Sequence, residues 1–256
     1  MSAQDRARVR REGDVTERGD RTAAEPGRQQ GDPGAESARF WGLERSEQSR
    51  RLLTSGVHCF AASGFHATTT RDITSAVGLS PGALYVHFSS KEQLLFEIIR
   101  TGHVRSLDTV RGAGTGADAA AHLRALVRRF VVWHAEHHVV GRVSQYELGA
   151  LSLPHHEEIL DLRRATTSVF HDAVRRGIDE ATFANVDVPR VVRAVLSLGV
   201  DLVRWYRPGG DDSPEQLGEF YAGLALGMVT SAAEAYPRPG PHAAVGTHRS
   251  TRPDRA

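Results

Sequence analysis

Signals that end and start helices are unusually dense between residues 64 and 93, and they constrain this chain more than any other feature of its sequence. Gly64 favours the left-handed backbone that closes a helix, and Thr69 or Thr70 can cap the next helix, with Asp72 in its first turn. Gly78 can end that second helix in the same way. These signals predict helices at residues 47–63 and 70–77.

A third and a fourth helix are predicted immediately afterwards. Ser80 is placed to cap the third helix, and Pro81 occupies its first position, where a missing N–H costs nothing. Ser90 with Gln93, or the pair one residue earlier, forms a capping box that opens the fourth helix. Two short helices joined by a turn of about four residues that contains glycine make a helix-turn-helix.

The apolar spacing agrees with a three-helix unit. The residues expected in its core are Leu53, Val57, Phe60, Ala61, Ile73, Ala76, Val77, Leu79, Leu84 and Phe88. The outer side of the third helix then carries a compact surface made of Gly82, Ala83, Tyr85, Val86 and His87. Such a surface can approach the floor of a DNA major groove, so the sequence predicts a unit that binds double-stranded DNA.

The stretch TTTRDITSAVGLSPGALYVHFSSKEQLL resembles the DNA-binding signature of the TetR/AcrR family of bacterial transcriptional regulators, and the resemblance spans residues 48–99. It implies an all-α fold with an N-terminal three-helix helix-turn-helix domain and a C-terminal helical domain for ligand binding and dimerisation. By this resemblance the residues that hold DNA phosphates would be Thr70, Ser80, Tyr85, His87 and Lys91, and those nearest the bases would be Arg71, Gly82 and Ala83; Thr69 and Pro81 complete the predicted DNA-binding set. The alternatives are that Tyr85 and His87 only close the small core and that Arg71 pairs with Asp72 or solvent.

Composition limits how the DNA would be held. The formal net charge is only +1, so affinity has to come from locally placed cations and from dimerisation rather than from bulk charge. Cys59 is the single cysteine, which excludes a disulfide within one chain and favours a cytoplasmic protein, and it is interpreted as a small apolar filler. No apolar run reaches the roughly 18 residues of a membrane span, so no membrane partner is expected. No cofactor is expected either.

The sequence divides into four predicted parts. These are a disordered N-terminal extension at residues 1–43, the helix-turn-helix domain at 44–92, a helical effector-binding and dimerisation domain at 93–236, and a disordered tail at 237–256. The extension contains Arg6, Arg8, Arg10 and Arg11, which could form a minor-groove arm or be simply solvated.

The larger domain is predicted to be a series of helices at residues 117–139, 142–151, 155–183, 188–206 and 213–236. Gly177 would be a tolerated weak point of the third of these. The last two helices carry apolar stripes that could pair with a second copy of the chain. The stripes consist of Val191, Val195, Leu198, Leu202 and Trp205 on one helix and Leu217, Phe220, Leu224 and Met228 on the other, with Gly199, Gly223 and Gly227 allowing close approach. The alternative is that both stripes face only the monomer's own core, whereas the family resemblance favours a homodimer.

The segments ELGALSLPHHEEILDLRR and VLSLGVDLVRWYRPGG resemble the acyl-CoA-responsive and lipid-responsive branch of the same family. This resemblance implies an apolar effector, such as an acyl-CoA, in a channel lined by Phe130, Trp133, His134, Tyr146, Leu148, Phe170, Leu202 and Trp205. Arg142, Arg163 or Arg164 could meet the phosphates of coenzyme A. Alternatively, these aromatic residues are ordinary core.

Three other functions were weighed against a ligand-responsive regulator. His134 and His138 are four residues apart on one helix, and with His137, Glu147, His155, His156 or His171 they could bind zinc or nickel. No catalytic spacing is present among the 13 histidines and the carboxylates, so an enzyme is not expected. A helical partner-binding protein that uses its helix-turn-helix only for packing remains an alternative. The favoured interpretation is a homodimeric repressor that binds a palindromic operator and is released by its effector.

Overall fold

The computed structural model describes residues 39–230, and within this range the chain is helical, with no strand. The helices are α1 (Glu47–Ala67), α2 (Thr70–Ser75), α3 (Ala83–His87), α4 (Lys91–Arg111), α5 (Ala119–Glu136), α6 (His138–Tyr146), α7 (Leu153–Asp179), α8 (Val188–Trp205) and α9 (Pro214–Thr230), with a 3-10 helix, Leu148–Ala150, between α6 and α7. The predicted all-α fold class is confirmed. The predicted tail and most of the predicted extension lie outside the described residues.

Helices α1 to α3 and the first half of α4 enclose one apolar core, which we call the head core. Its fully buried side chains include Leu52, Leu53, Phe60, Ile73, Leu84, Leu94, Leu95, Ile98 and Ile99. Removing a leucine or phenylalanine side chain from water contributes roughly 1.5–3 kcal/mol, so these residues hold the short α2 and α3 in place although neither helix is long enough to be stable alone. Ala76, which was expected in this core, is exposed.

The predicted caps of the head are confirmed in part. Gly64 breaks α1 at φ 78°, as expected, although one further turn follows it. Thr69 caps α2 and closes a capping box with Asp72, and Ser90 caps α4. The box predicted at α4 does not close, because the Gln93 side chain donates to Glu97 instead of returning to the cap.

The third helix starts later than the sequence suggested. It begins at Ala83, and Gly82 at its cap position makes no side-chain hydrogen bond. Ser80 therefore does not cap it through its hydroxyl; its carbonyl oxygen accepts from the N–H of Ala83 in the preceding turn. Helix α2 is also shorter than predicted and ends at Ser75, with Gly78 in the left-handed region at φ 67°.

Helix α4 belongs to both halves of the molecule. Leu94 and Ile98 lie in the head core, whereas Leu107 and Val110 lie in a second apolar cluster, the large core, with α5, α7, α8 and α9. Val140 and Val143 of α6 pack on the head core. The head is therefore mounted directly on the helices of the larger domain.

The two helices predicted at residues 117–139 and 142–151 are present, but the first ends three residues earlier than predicted and the second begins four residues earlier. Helix α5 is capped by the Asp118 side chain and ends at Glu136, because His137 leaves helical geometry at φ −111° and ψ 31°. Helix α6 then starts in a new direction at His138. This break turns α6 towards the head and opens space between α5, α6 and α7.

Gly177 is required by packing rather than tolerated. A Cβ built on it would lie 2.0 Å from Cδ2 of Phe183, whose ring is buried against α7 after the turn that ends this helix. The sequence interpretation of Gly177 as a weak point is therefore wrong.

Some residues of the apolar stripes on α8 and α9 are buried in the large core, and others are exposed. Val195, Leu202 and Leu217 are buried in the large core, and Gly199 lets α8 approach Phe130 of α5, where an added Cβ would lie 2.8 Å from the ring. The exposed remainder, which we call the outer face, consists of Leu198, Trp205, Phe220 and Leu224 together with Gly223 and Gly227. The capping box predicted at Ser213 is confirmed by both of its hydrogen bonds with Gln216.

Candidate functional site

The surface predicted to meet DNA lies on α2, α3 and the turn between them. Arg71, Ser80, Pro81 and Gly82 are exposed, and Tyr85 is 58% exposed. Tyr85 therefore does not close the head core. No ion pair or hydrogen bond of the Arg71 side chain occurs within residues 39–230, which leaves its guanidinium available to a base edge.

Two positions of this surface are open to close approach. A Cβ added at Gly82 would meet nothing within 4 Å, and Ala83 beside it carries only a methyl group. The backbone at the start of α3 can thus come near another molecule. His87 differs from these residues, since it is half-buried and its Nε2 lies 3.3 Å from Oε1 of Gln48. It fits the alternative interpretation of a residue that closes the head.

Thr69 organises the start of α2. Its hydroxyl accepts from the N–H of Asp72, whose carboxylate in turn accepts from the N–H of Thr69 at 2.8 Å and from its hydroxyl. These hydrogen bonds, the backbone one first, hold the pKa of Asp72 below its usual value. Thr70, the first residue of α2, is half-buried beside them.

The Lys91 side chain is hydrogen-bonded to the end of α1, after the break at Gly64. Its Nζ donates to the carbonyl oxygens of Phe65 and Thr68 at 2.7 and 2.6 Å and lies 4.2 Å from the centroid of the Phe65 ring. Two of its three N–H donors are thus used inside the protein. Lys91 therefore stabilises the head, and its third N–H donor makes no hydrogen bond within residues 39–230.

A cavity of about 430 Å³ lies in the larger domain between α4, α5, α6, α7 and α8. Its volume falls in the usual range for small-molecule sites. Of the eight predicted lining residues, Phe130, Trp133, His134 and Tyr146 do line it. Leu148, Phe170, Leu202 and Trp205 do not: Phe170 and Leu202 are fully packed in the large core, Leu148 packs on the head core, and Trp205 is 43% exposed on the outer face.

Two histidines, the buried His134 and the half-buried His103, line the cavity in their neutral form. Burial lowers the pKa of His134 to about 4, and burial followed by the Arg163 charge lowers the pKa of His103 to about 4. Nδ1 of each ring must carry the proton, because it lies 2.8 or 2.9 Å from the carbonyl oxygen of Phe130 or Ile99. Nε2 of each ring is therefore a hydrogen-bond acceptor.

Arg163 is one of the two arginines that line the cavity. Its Nε donates to Nε2 of His103 at 3.1 Å, and Nη2 lies 3.3 Å from the carbonyl oxygen of Ser144 and from Oε1 of Gln145. Burial lowers the pKa of its guanidinium. Arg142 and Arg164, the other predicted phosphate ligands, do not line the cavity; Arg164 pairs with Asp161 on the exposed side of α7.

Sequence reasoning missed part of this lining. Gly102, His103 and Ser106 on α4 and Ser144 on α6 contribute to it. Gly102 and Ser106 repeat at four residues on one face of α4, a pattern of small residues that could have indicated space beside this helix.

The predicted metal-binding alternative has no geometric support in the described part of the chain. No group of three His, Cys, Asp or Glu side chains converges there. His134 and His138 donate to carbonyl oxygens of their own helix region, and His155 lies 2.8 Å from the Glu92 carboxylate while stacking on Phe96.

A small head with an open helix-turn-helix surface, mounted on an all-helical domain with a cavity between its helices, defines a DNA-binding regulator. Residues 52–98 match the family described as bacterial regulatory proteins of the tetR family, and residues 116–229 match the tetracyclin repressor-like C-terminal domain. The chain is 33% identical over 190 residues to the HTH-type transcriptional repressor KstR2 of Mycobacterium tuberculosis, covering 71% of this chain and 94% of that protein. The chain therefore belongs to the TetR family of transcriptional regulators.

Solved structures agree with this assignment. A tetR-family regulatory protein from Rhodococcus RHA1 superposes with a TM-score of 0.70 at 36% identity, covering 73% of this chain and all of that one. AibR, solved in complex with isovaleryl coenzyme A and operator DNA, shares the fold at a TM-score of 0.64 and 19% identity, over 70% of this chain and 98% of that one. Among residues 39–230 no helix combines the length and apolar character that crossing a membrane requires.

Proposed function

We propose that this protein is a homodimeric transcriptional repressor that binds a palindromic operator and is released by a small, largely apolar effector. The observation that carries the proposal is the presence in one chain of an open helix-turn-helix surface and a cavity in the larger domain, joined by α4 and α6. The similarity to a protein named as a transcriptional repressor supports the direction of regulation.

On this proposal the DNA-binding residues divide by chemistry. Arg71 reads a guanine edge, and Gly82 and Ala83 allow the backbone to approach the bases. Thr70, Ser80, Tyr85 and the remaining donor of Lys91 hold phosphates, and His87 supports them through Gln48. Thr69 acts by fixing the start of α2, and Pro81 by shaping the turn before α3.

The outer face supports dimerisation. Phe220 and Leu224 are 63% and 42% exposed on α9, and an added Cβ at the neighbouring Gly223 or Gly227 would meet nothing within 4 Å. Leu198 and Trp205 continue the apolar surface on α8. Two such faces would bury each other in an isologous interface, with the two heads about a helical turn of DNA, or multiples of one, apart.

The effector class is supported by the cavity and by the relatives. Phe130, Trp133 and Leu196 give the cavity an apolar wall. A solved relative of the fold carries isovaleryl coenzyme A, and the solved KstR2 of M. tuberculosis is described as a ketosteroid transcriptional regulator. An apolar body, free or as an acyl-CoA, is therefore the proposed effector class. A ligand of this kind can lower operator affinity only by its differential affinity for the two conformations of the dimer.

The test is selection of bound sequences from a random duplex library with the full-length protein, repeated with decanoyl-CoA and with zinc or nickel. A palindromic site that decanoyl-CoA weakens and the metals leave unchanged is the expected result. A site weakened by metal alone would replace the apolar effector with a metal ion. The absence of any enriched site would overturn the DNA-binding function.

A further inference from the structure

The charges of the ionised side chains that line the cavity do not sum to zero. Its lining contains two arginines, Arg163 and Arg204, and one carboxylate, Asp201. Asp201 is already paired with Arg204, whose Nε and Nη2 each lie 3.0 Å from its carboxylate oxygens, and both residues are exposed. The charge left over is that of Arg163.

Every hydrogen-bond acceptor that Arg163 contacts within residues 39–230 is neutral. These acceptors are the imidazole of His103, the carbonyl of Ser144 and the amide of Gln145, and the last two are at a long 3.3 Å. No hydrogen bond of Nη1 is present in this range. A half-buried guanidinium held this way keeps both donors of Nη1, and its charge, for another group.

A second polar group, the hydroxyl of Ser144, lies beside Arg163 and makes no hydrogen bond in the described part of the chain. Ser144 is 6% exposed, and its Oγ is buried. It lines the same cavity and belongs to the residue whose carbonyl oxygen faces Arg163. A buried hydroxyl without a partner is unfavourable, so a ligand atom that accepts a hydrogen bond from it is favoured.

We propose that Arg163, with the Ser144 hydroxyl, binds an ionised carboxylate of the effector, so that the natural ligand is an amphipathic acid with its apolar body against Phe130 and Trp133. This inference rests on the proposed function and narrows its effector class. A planar guanidinium matches a carboxylate in shape as well as in charge. An acyl-CoA can use this carboxylate site only if its acyl group carries a second, free carboxylate, because thioester formation consumes the first; decanoyl-CoA would bind through its apolar body alone.

His103 is the positioning residue of this site. Its Nδ1–H is held by the carbonyl oxygen of Ile99, which leaves Nε2 to accept from Nε of Arg163 and to fix the plane of the guanidinium. A rigid guanidinium loses less conformational entropy when the ligand binds.

The test compares acids with their neutral primary amides by tryptophan fluorescence of the full-length protein. Three acids that differ in the shape of their apolar part are used: decanoic, 2-naphthoic and adamantane-1-carboxylic acid. At least one acid should bind tenfold or more tightly than its amide, and Arg163→Gln should abolish that preference. Arg163→Lys, which keeps the charge but not the planar fork, should retain part of it. Arg164→Gln is the matched control, since Arg164 is the next residue on α7 and points away from the cavity to Asp161.

The outcomes separate this site from the proposed function. If no acid binds better than its amide, or if the preference survives in Arg163→Gln with an unchanged melting temperature, the carboxylate site is overturned. If Arg163→Gln weakens decanoyl-CoA while no acid shows a preference, Arg163 contacts the phosphates of coenzyme A instead. Operator binding without ligand is measured separately, so its failure would refute the regulator and not the acid site.

Discussion

Oε2 of Glu147 accepts a hydrogen bond from the backbone N–H of Phe65 at 3.0 Å, which joins the end of α6 to the broken last turn of α1. Glu147 directly follows Tyr146, a residue of the cavity wall. The Lys91 ammonium lies over the Phe65 ring. It also donates a hydrogen bond to the carbonyl oxygen of Thr68, the residue before the cap of α2. Direct contacts therefore connect the cavity wall to the start of α2, the first helix of the proposed DNA-binding surface.

Glu147→Ala should destabilise the protein by about 1–2 kcal/mol, because it leaves the Phe65 N–H without its charged partner. Glu147→Gln keeps an acceptor oxygen and should lose less than half as much. Urea unfolding followed by circular dichroism measures both. Equal stability of the two variants would show that this hydrogen bond does not hold the head.

Lys91→Met should lower both stability and operator affinity. The methionine keeps the apolar stem but loses the two carbonyl contacts and the charge over Phe65, at a cost of about 1–3 kcal/mol. If the remaining donor binds a phosphate, the dependence of log affinity on log salt should also become shallower by about 1. Fluorescence anisotropy across a salt series tests this. A lower melting temperature with an unchanged salt slope would leave Lys91 as a structural clamp alone.

Acid should destabilise the fold through His103 and His134. In the unfolded chain each histidine binds a proton as pH falls through 6.5, whereas in the folded protein the pKa of each is about 4. The unfolded state therefore holds more protons between these values, and the free energy of unfolding falls as pH decreases through this window. Since one pKa unit is worth about 1.4 kcal/mol, each histidine removes about 3 kcal/mol by pH 4.

Urea unfolding at several pH values between 7 and 4 measures this loss. His103→Gln should make the dependence of stability on pH shallower, because one of the histidines whose pKa is lowered in the folded protein is removed. His58→Gln, at an exposed position on α1, is the control and should leave the slope unchanged. An identical slope in all three proteins would rule out proton uptake by His103.

If the proposed dimer forms through the outer face, Leu224→Glu should make the protein monomeric. Leu224 is 42% exposed on the outer face, and a buried carboxylate without a partner would oppose association by several kcal/mol. Leu153→Glu is the control, because Leu153 is 79% exposed at the start of α7, away from α8 and α9. Sedimentation equilibrium distinguishes the two. A dimer that survives Leu224→Glu would place the interface elsewhere.

The sequence predicted local features better than it predicted the cavity. The caps at Thr69, Ser90 and Ser213 depend on side chains within three residues of each helix start, so the pattern alone locates them.

The cavity, in contrast, depends on where packed helices leave space between them. Phe170 and Tyr146 both look like inward aromatic residues, yet one is packed in the large core and the other lines the cavity. The contact of Arg163 with His103 joins helices 60 residues apart, and no periodicity encodes it.

Gly177→Ala offers a direct test of packing between α7 and the turn that follows it. The added methyl would meet the Phe183 ring at 2.0 Å, and the ring cannot move freely because it is only 5% exposed. Overpacking of this kind costs about 1–3 kcal/mol, more than the helix preference for alanine returns.

The same substitution in a Phe183→Ala background should cost far less, since the colliding ring is gone and neighbouring mutations are then not additive. Gly149→Ala serves as the control, because nothing lies within 4 Å of its added Cβ. Thermal unfolding of the wild type, Gly177→Ala, Phe183→Ala and the double variant gives the coupling between the two positions, and Gly149→Ala is measured beside them. If Gly177→Ala proves as mild as Gly149→Ala in the wild-type background, the packing of Phe183 on α7 does not constrain this position, and glycine is present there for another reason.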